Sequence, residues 1–168
     1  MREHASRRQY LNVSQMFENV RHINYCVISN YERLPLDTGN QIDVLTDNVK
    51  GLLIGLDLVR IEGNTYRTQE NLSTGKPLKV RVFEKGKRTF PEGFESQILG
   101  RKTVHNNCVY VPDLQTYFLI RMYWRTFFEE LFLNEPDRAV MVEYLKRNVG
   151  EPITPKEKGL VLNKKKVG

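Results

Sequence analysis

A chain of 168 residues with 40% hydrophobic and 27% charged residues can close one core and is too apolar to stay disordered throughout. No apolar run approaches the ~18 residues of a membrane span, and the opening MREHASRRQYLN lacks the apolar stretch of a signal peptide, so a cytoplasmic location without a membrane segment is expected. The net charge of +6 invites anionic partners, yet five Lys against two Glu from Glu151 onward put half of that excess in a basic flexible tail over 151–168 and leave 1–150 as the single domain.

Ser6 and Gln9 form a capping box ahead of Tyr10, Val13, Phe17 and Val20, which predicts an amphipathic helix over 7–21. Tyr25-Cys26-Val27-Ile28 reads as a strand ending in Ser29-Asn30. A loop with Pro35, Asp37, Gly39 and Asn40 leads to a second strand, Ile42-Asp43-Val44-Leu45. Residues 48–57 are ambiguous: Asn48 suits a helix cap, but Gly51 and Gly55 weaken a helix by about 1 kcal/mol each relative to Ala. Strands at 58–62 and 65–68 flank the hairpin turn Gly63-Asn64. In Leu78-Lys79-Val80-Arg81-Val82-Phe83, Lys79, Arg81 and Phe83 face one side and the aliphatic residues the other.

A short helix over 91–99 and an extended run at 108–111 come next. Asp113 opens the strongest helix, with Leu114, Tyr117, Ile120, Trp124, Phe127 and Leu131 as its expected core stripe and Arg121, Arg125 and Glu129 stacked on another. Phe128 is expected in the core as well. Pro136 begins a last helix that Gly150 ends. Short strands with segregated helices predict an α+β (mixed-sheet α/β) domain. Cys26 and Cys108, in apolar runs far apart, read as buried free thiols. His4, His22 and His105 stand at no ligand spacing, and neither GxxxxGK[ST] nor GxGxxG occurs.

The segment 24–47, NYCVISNYERLPLDTGNQIDVLTD, is the most suggestive. Small residues after a strand let backbone approach a phosphate, and an acid on the next strand can share Mg²⁺ with a second carboxylate two residues away. VISNYERLP at 27–35 and NQIDVLT at 40–46 resemble the nucleotidyltransferase (polymerase-β-like) superfamily, in particular the proteins near surface-polysaccharide genes that read VLRNYEGLP and NDIDLLV. KVRVFEKGKRTFPEGFESQILGRK and VYVPDLQTYFLIRMYW resemble later segments of that family, so the likeness spans 24–124.

The resemblance implies transfer of a nucleoside monophosphate from a nucleoside triphosphate to a small acceptor. It makes Asp43 the catalytic carboxylate and holder of Mg²⁺, with Asp37 or Asp47 assisting, Ser29 and Asn30 on phosphate, and Lys79 or Arg81 offsetting charge. Three departures from the family pattern favour a degenerate, nucleotide-binding version. Gln41 stands where the family places its first metal carboxylate, and Lys79 where it often has another; Ser29 replaces a frequent Arg. Plainer readings stand beside these roles: Asp43 paired with a Lys or Arg, Asp47 as a helix cap, Ser29 and Asn30 as turn residues, Lys79 protecting an edge strand. The alternative function is a non-catalytic basic module that binds RNA or another polyanion through Lys79, Arg81, Lys85, Lys87, Arg88 and the tail. A purely structural domain is the third.

Overall fold

In a computed structural model of the chain, which describes residues 12–32, 34, 41–72, 75–87, 89–129 and 135–151, a mixed five-stranded sheet carries helices on both faces, an α+β arrangement. The strands are β1 (Tyr25–Ser29), β2 (Gln41–Thr46), β3 (Leu58–Glu62), β4 (Thr65–Asn71) and β5 (Pro77–Glu84). They lie in the order β1-β2-β5-β4-β3. Only β2 and β5 run parallel; the other pairs are antiparallel. The route from β2 to β5 passes through α2 (Val49–Gly55) and the β3–β4 hairpin. Therefore β5 is a central strand, paired on both sides, and the edge-strand reading of Lys79 is wrong.

Alternation along the strands divides the core in two. Tyr25, Val27, Ile42, Val44, Leu78, Val80 and Val82 pack beneath α1 (Val13–Glu18), α2 and a small hairpin, β6 (Thr103–His105) with β7 (Val109–Val111). Cys26, Ile28 and Leu45 face the opposite way. They meet α3 (Glu92–Gly100), α4 (Leu114–Trp124) and α5 (Glu135–Asn148), with Phe90, Phe94 and Tyr123 filling that cluster. Both cysteines are free and buried. No described helix is long and apolar enough to cross a membrane.

Local signals explain most boundaries. Asn12 caps α1 by accepting from the N–H of Gln15, Asn48 caps α2 through Gly51, and Asp113 caps α4 through Thr116. The first helix is thus seen as Val13–Glu18; the capping box at Ser6 and Gln9 lies outside the described residues, as do Asp37, Arg88, Leu131 and the tail beyond Glu151. Asn48, and not Asp47, is the cap of α2. The core stripe of α4 is Thr116, Leu119, Ile120 and Tyr123, while Leu114 is 70% exposed. Of the expected stripe, Ile120 is buried and Tyr117, Trp124 and Phe127 pack partly buried against the two cores, so Leu114 is the described member that departs. Beyond Trp124 the backbone widens into a π-helical turn, Arg125–Glu129.

Gly55 is explained by proximity rather than helix propensity: a Cβ there would overlap the Cγ1 of Val20, a buried and β-branched side chain with little room to move. Gly55→Ala should therefore lower stability by about 1–2 kcal/mol in urea unfolding, overpacking outweighing the helix gain; a stabilised variant would refute the close approach. Glu95 in α3 is 1% exposed. Its Oε1 accepts the N–H of Gly86 at 3.0 Å, and its Oε2 has no hydrogen-bond partner among the described residues. Burial raises its pKa above the ordinary 4.5, against the Gly86 N–H and Lys85, which lower it. Above pH 4.5 the folded state then holds the more protons, so stability falls as pH climbs through the folded-state value. Glu95→Gln should flatten that decline in the urea midpoint between acid and neutral pH, whereas an unchanged slope would assign it to other groups.

Candidate functional site

The site begins with an irregularity in β1. Tyr25 to Val27 pair in step with Thr46 to Val44, but Ser29, not Ile28, stands opposite Asp43. The bulge turns Ser29 onto the face shared with Asp43 and Arg81, a re-aiming that bulges commonly produce. Asn30 follows in a left-handed conformation, φ 62°, and its Nδ2 donates to the carbonyl of Gln41 at 2.8 Å. The end of β1 is thereby tied to the start of β2.

On the neighbouring parallel strand Arg81 lies directly beside Asp43. Its Nε donates to Oδ1 and its Nη2 to Oδ2 of Asp43, both at 2.9 Å, a bidentate pair. Ser29 Oγ donates to Oδ2 at 2.6 Å and Gln41 Nε2 to Oδ1 at 3.2 Å. The guanidinium lies 5.0 Å from the Phe83 ring centroid and 5.9 Å from that of Trp124. Asp43 is 7% exposed, so the carboxylate is neutralised inside the sheet rather than presented to solvent.

Above the pair lies a pocket of about 180 Å³ lined by Ile28, Ser29, Asn30, Asp43, Arg81, Ile120, Arg121, Trp124 and Arg125. Arg121 and Arg125 come from the end of α4, the second at the start of the π-helical turn, a kind of irregularity frequent at functional sites. Neither makes an ion pair with a described carboxylate. Three guanidiniums and one paired carboxylate leave the pocket with an excess of positive charge.

Ser29, Asn30, Asp43 and Arg81 are thus brought together, and Arg121, Trp124 and Arg125 join them. These three were read from sequence only as a charged stack and a core aromatic. Two arginines four residues apart repel each other, and that repulsion was the available signal. Asp47 lies just past the end of β2, four residues from Asp43 and roughly 13 Å away at strand spacing, and accepts from Asn24 Nδ2 at 2.9 Å. Lys79 lies two residues beyond Arg81, outside the pocket lining. Of the basic turn, Lys87 is 3.9 Å from Glu84 in an exposed ion pair, so its charge is partly answered.

Mg²⁺ prefers carboxylate and phosphate oxygens around an open octahedral position. Here both Asp43 oxygens accept from a guanidinium, and among the described residues no group of three His, Cys, Asp or Glu side chains could hold a metal ion. The described donor set does not fit the ion. Stability should expose the pair's asymmetry. Arg81→Gln strands a buried carboxylate and should cost about 1–3 kcal/mol in urea unfolding, whereas Asp43→Asn leaves a guanidinium that water still reaches and should cost less. The opposite ranking would show that Asp43 does not depend on Arg81. Compared with protein-family models, curated proteins and solved structures, the chain matches none of them.

Proposed function

We propose that this chain is a nucleotidyltransferase-like domain that binds a nucleotide phosphate without a metal ion, the degenerate form of the activity that its sequence resembles. The observation that carries the reading is the convergence of Arg81, Arg121 and Arg125 with Ser29 and Asn30 on one pocket. Guanidiniums hold phosphate oxygens through charge-assisted, often bidentate bonds. Arg81 is pre-positioned by Asp43 and two aromatic rings, so little side-chain entropy is lost when it donates from Nη1, the nitrogen its ion pair leaves unused.

Size favours binding over transfer. Pockets that enclose a drug-sized ligand span roughly 300–1,000 Å³, and about 180 Å³ suits a phosphoryl group with part of its nucleoside. A triphosphate together with an acceptor would need more. Transfer would also need a cation to neutralise charge building on the phosphate, and Asp43 is engaged by Arg81.

Calorimetric titration of adenosine 5′-monophosphate in excess EDTA tests this. Wild-type protein should bind, and Arg121→Gln/Arg125→Gln should weaken binding at least about tenfold, since hydrogen bonds to charged groups contribute roughly 1.5–3 kcal/mol each. Both arginines are exposed, so the fold should persist. Binding that appears only with Mg²⁺ would restore the metal-dependent reading, and binding indifferent to both arginines would remove the pocket from consideration.

A further inference from the structure

Two cations next to the pocket are unexplained by a single phosphate. Arg67 of β4 and Lys79 of β5 stand directly opposite each other, both exposed. Like charges in that relation destabilise a sheet unless something anionic lies between them. Neither makes an ion pair with a described carboxylate, and the neighbour of Lys79 on β2 is the neutral Gln41. Arg67 spends one donor on the carbonyl of Thr68. Because alternate residues share a face, Lys79 lies on the Arg81 side of the sheet, about 6.8 Å further along β5.

We infer that the ligand is a single-stranded oligonucleotide, with one phosphate among Arg81, Arg121 and Arg125 and the next on Arg67 and Lys79. The inference rests on the nucleotide-binding reading and extends it. Phosphates in a polyphosphate share a bridging oxygen and would crowd into one centre. Those of an oligonucleotide are separated by a sugar, which suits two basic centres two strand residues apart. An exposed aromatic ring stands one helical turn from Arg121: Phe118 is 55% exposed and lies on the same side of α4 as Arg121 and Arg125, where an unpaired base can stack.

The experiment compares two ligands on two proteins. A fluorescein-labelled pentaadenylate is titrated by anisotropy over a range of salt, and adenosine 5′-monophosphate by calorimetry, against wild type and Arg67→Gln/Lys79→Gln. The double variant should bind pentaadenylate roughly tenfold more weakly and reduce the slope of log affinity against log salt by about 0.7, as one fewer phosphate of a single strand is neutralised. Its affinity for the monophosphate should not change. Unaltered pentaadenylate affinity and slope would overturn the second centre, as would wild type that binds the monophosphate but not the oligonucleotide; in both cases the pocket reading survives. Equal loss for both ligands would show that the row acts only through the pocket. Wild type that binds neither would overturn this inference together with the reading beneath it.

Discussion

The ion pair between Asp43 and Arg81 is the constraint on which the site depends. Two charges side by side on adjacent parallel strands, one of them nearly buried, carry a desolvation penalty that attraction offsets only with full hydrogen bonding. That bonding is present: the carboxylate accepts from Arg81 twice, from Ser29 and from Gln41. Each donor comes from a different strand or position, so the pair also fixes how β1, β2 and β5 meet. The bulge in β1 makes sense in this light. Regular pairing would point Ser29 into the other core and leave Oδ2 with one donor fewer.

The same pair changes the chemistry of the pocket. In a metal-dependent transferase, carboxylates gather divalent ions whose surplus charge faces the phosphates. Here one carboxylate meets one guanidinium, and the two sum to zero. Attraction for an anion must come from elsewhere, and Arg121 and Arg125 on α4 are where the surplus resides. Gln41 fits this arrangement, since an aspartate there would set a second negative charge beside the nearly buried Asp43. A neutral amide donates to Asp43 instead.

How far the sequence could be read follows from the range of each interaction. Caps at Asn48 and Asp113, the turn at Gly63-Asn64, and the alternation in β5 are local, and all are seen. Sheet order is not local. Lys79 reads as an edge residue because nothing within β5 records that the chain comes back beside β2 after the β3–β4 hairpin. Strands of three residues, such as β6, are too short to show a period. In α4 the periodic signal placed Ile120, Tyr117, Trp124 and Phe127 against the cores, but it also took in Leu114, which is exposed, and passed over Thr116, a buried polar residue. The strand-end cluster of Ser29, Asn30, Asp43 and Arg81 was legible because its chemistry is written in two short segments. Arg121 and Arg125, some forty residues later, join it only through packing of Ile120 and Tyr123 beneath them.

One strand, β5, shows why binding and salt sensitivity should separate along this face. Phe83 packs partly buried against Trp124, Arg81 is about a third exposed, and Lys79 is open to solvent. Screening by salt acts strongly on exposed charges and weakly on partly buried ones. A phosphate at Arg81 therefore meets a charge whose strength the solvent changes little, with a guanidinium already oriented. A phosphate at Lys79 meets a mobile, hydrated ammonium whose attraction falls as ions crowd in. The inner centre is suited to holding a group in one orientation, the outer one to drawing an anionic chain toward it. Both follow from a single alternating strand that runs out of a hydrophobic core into water.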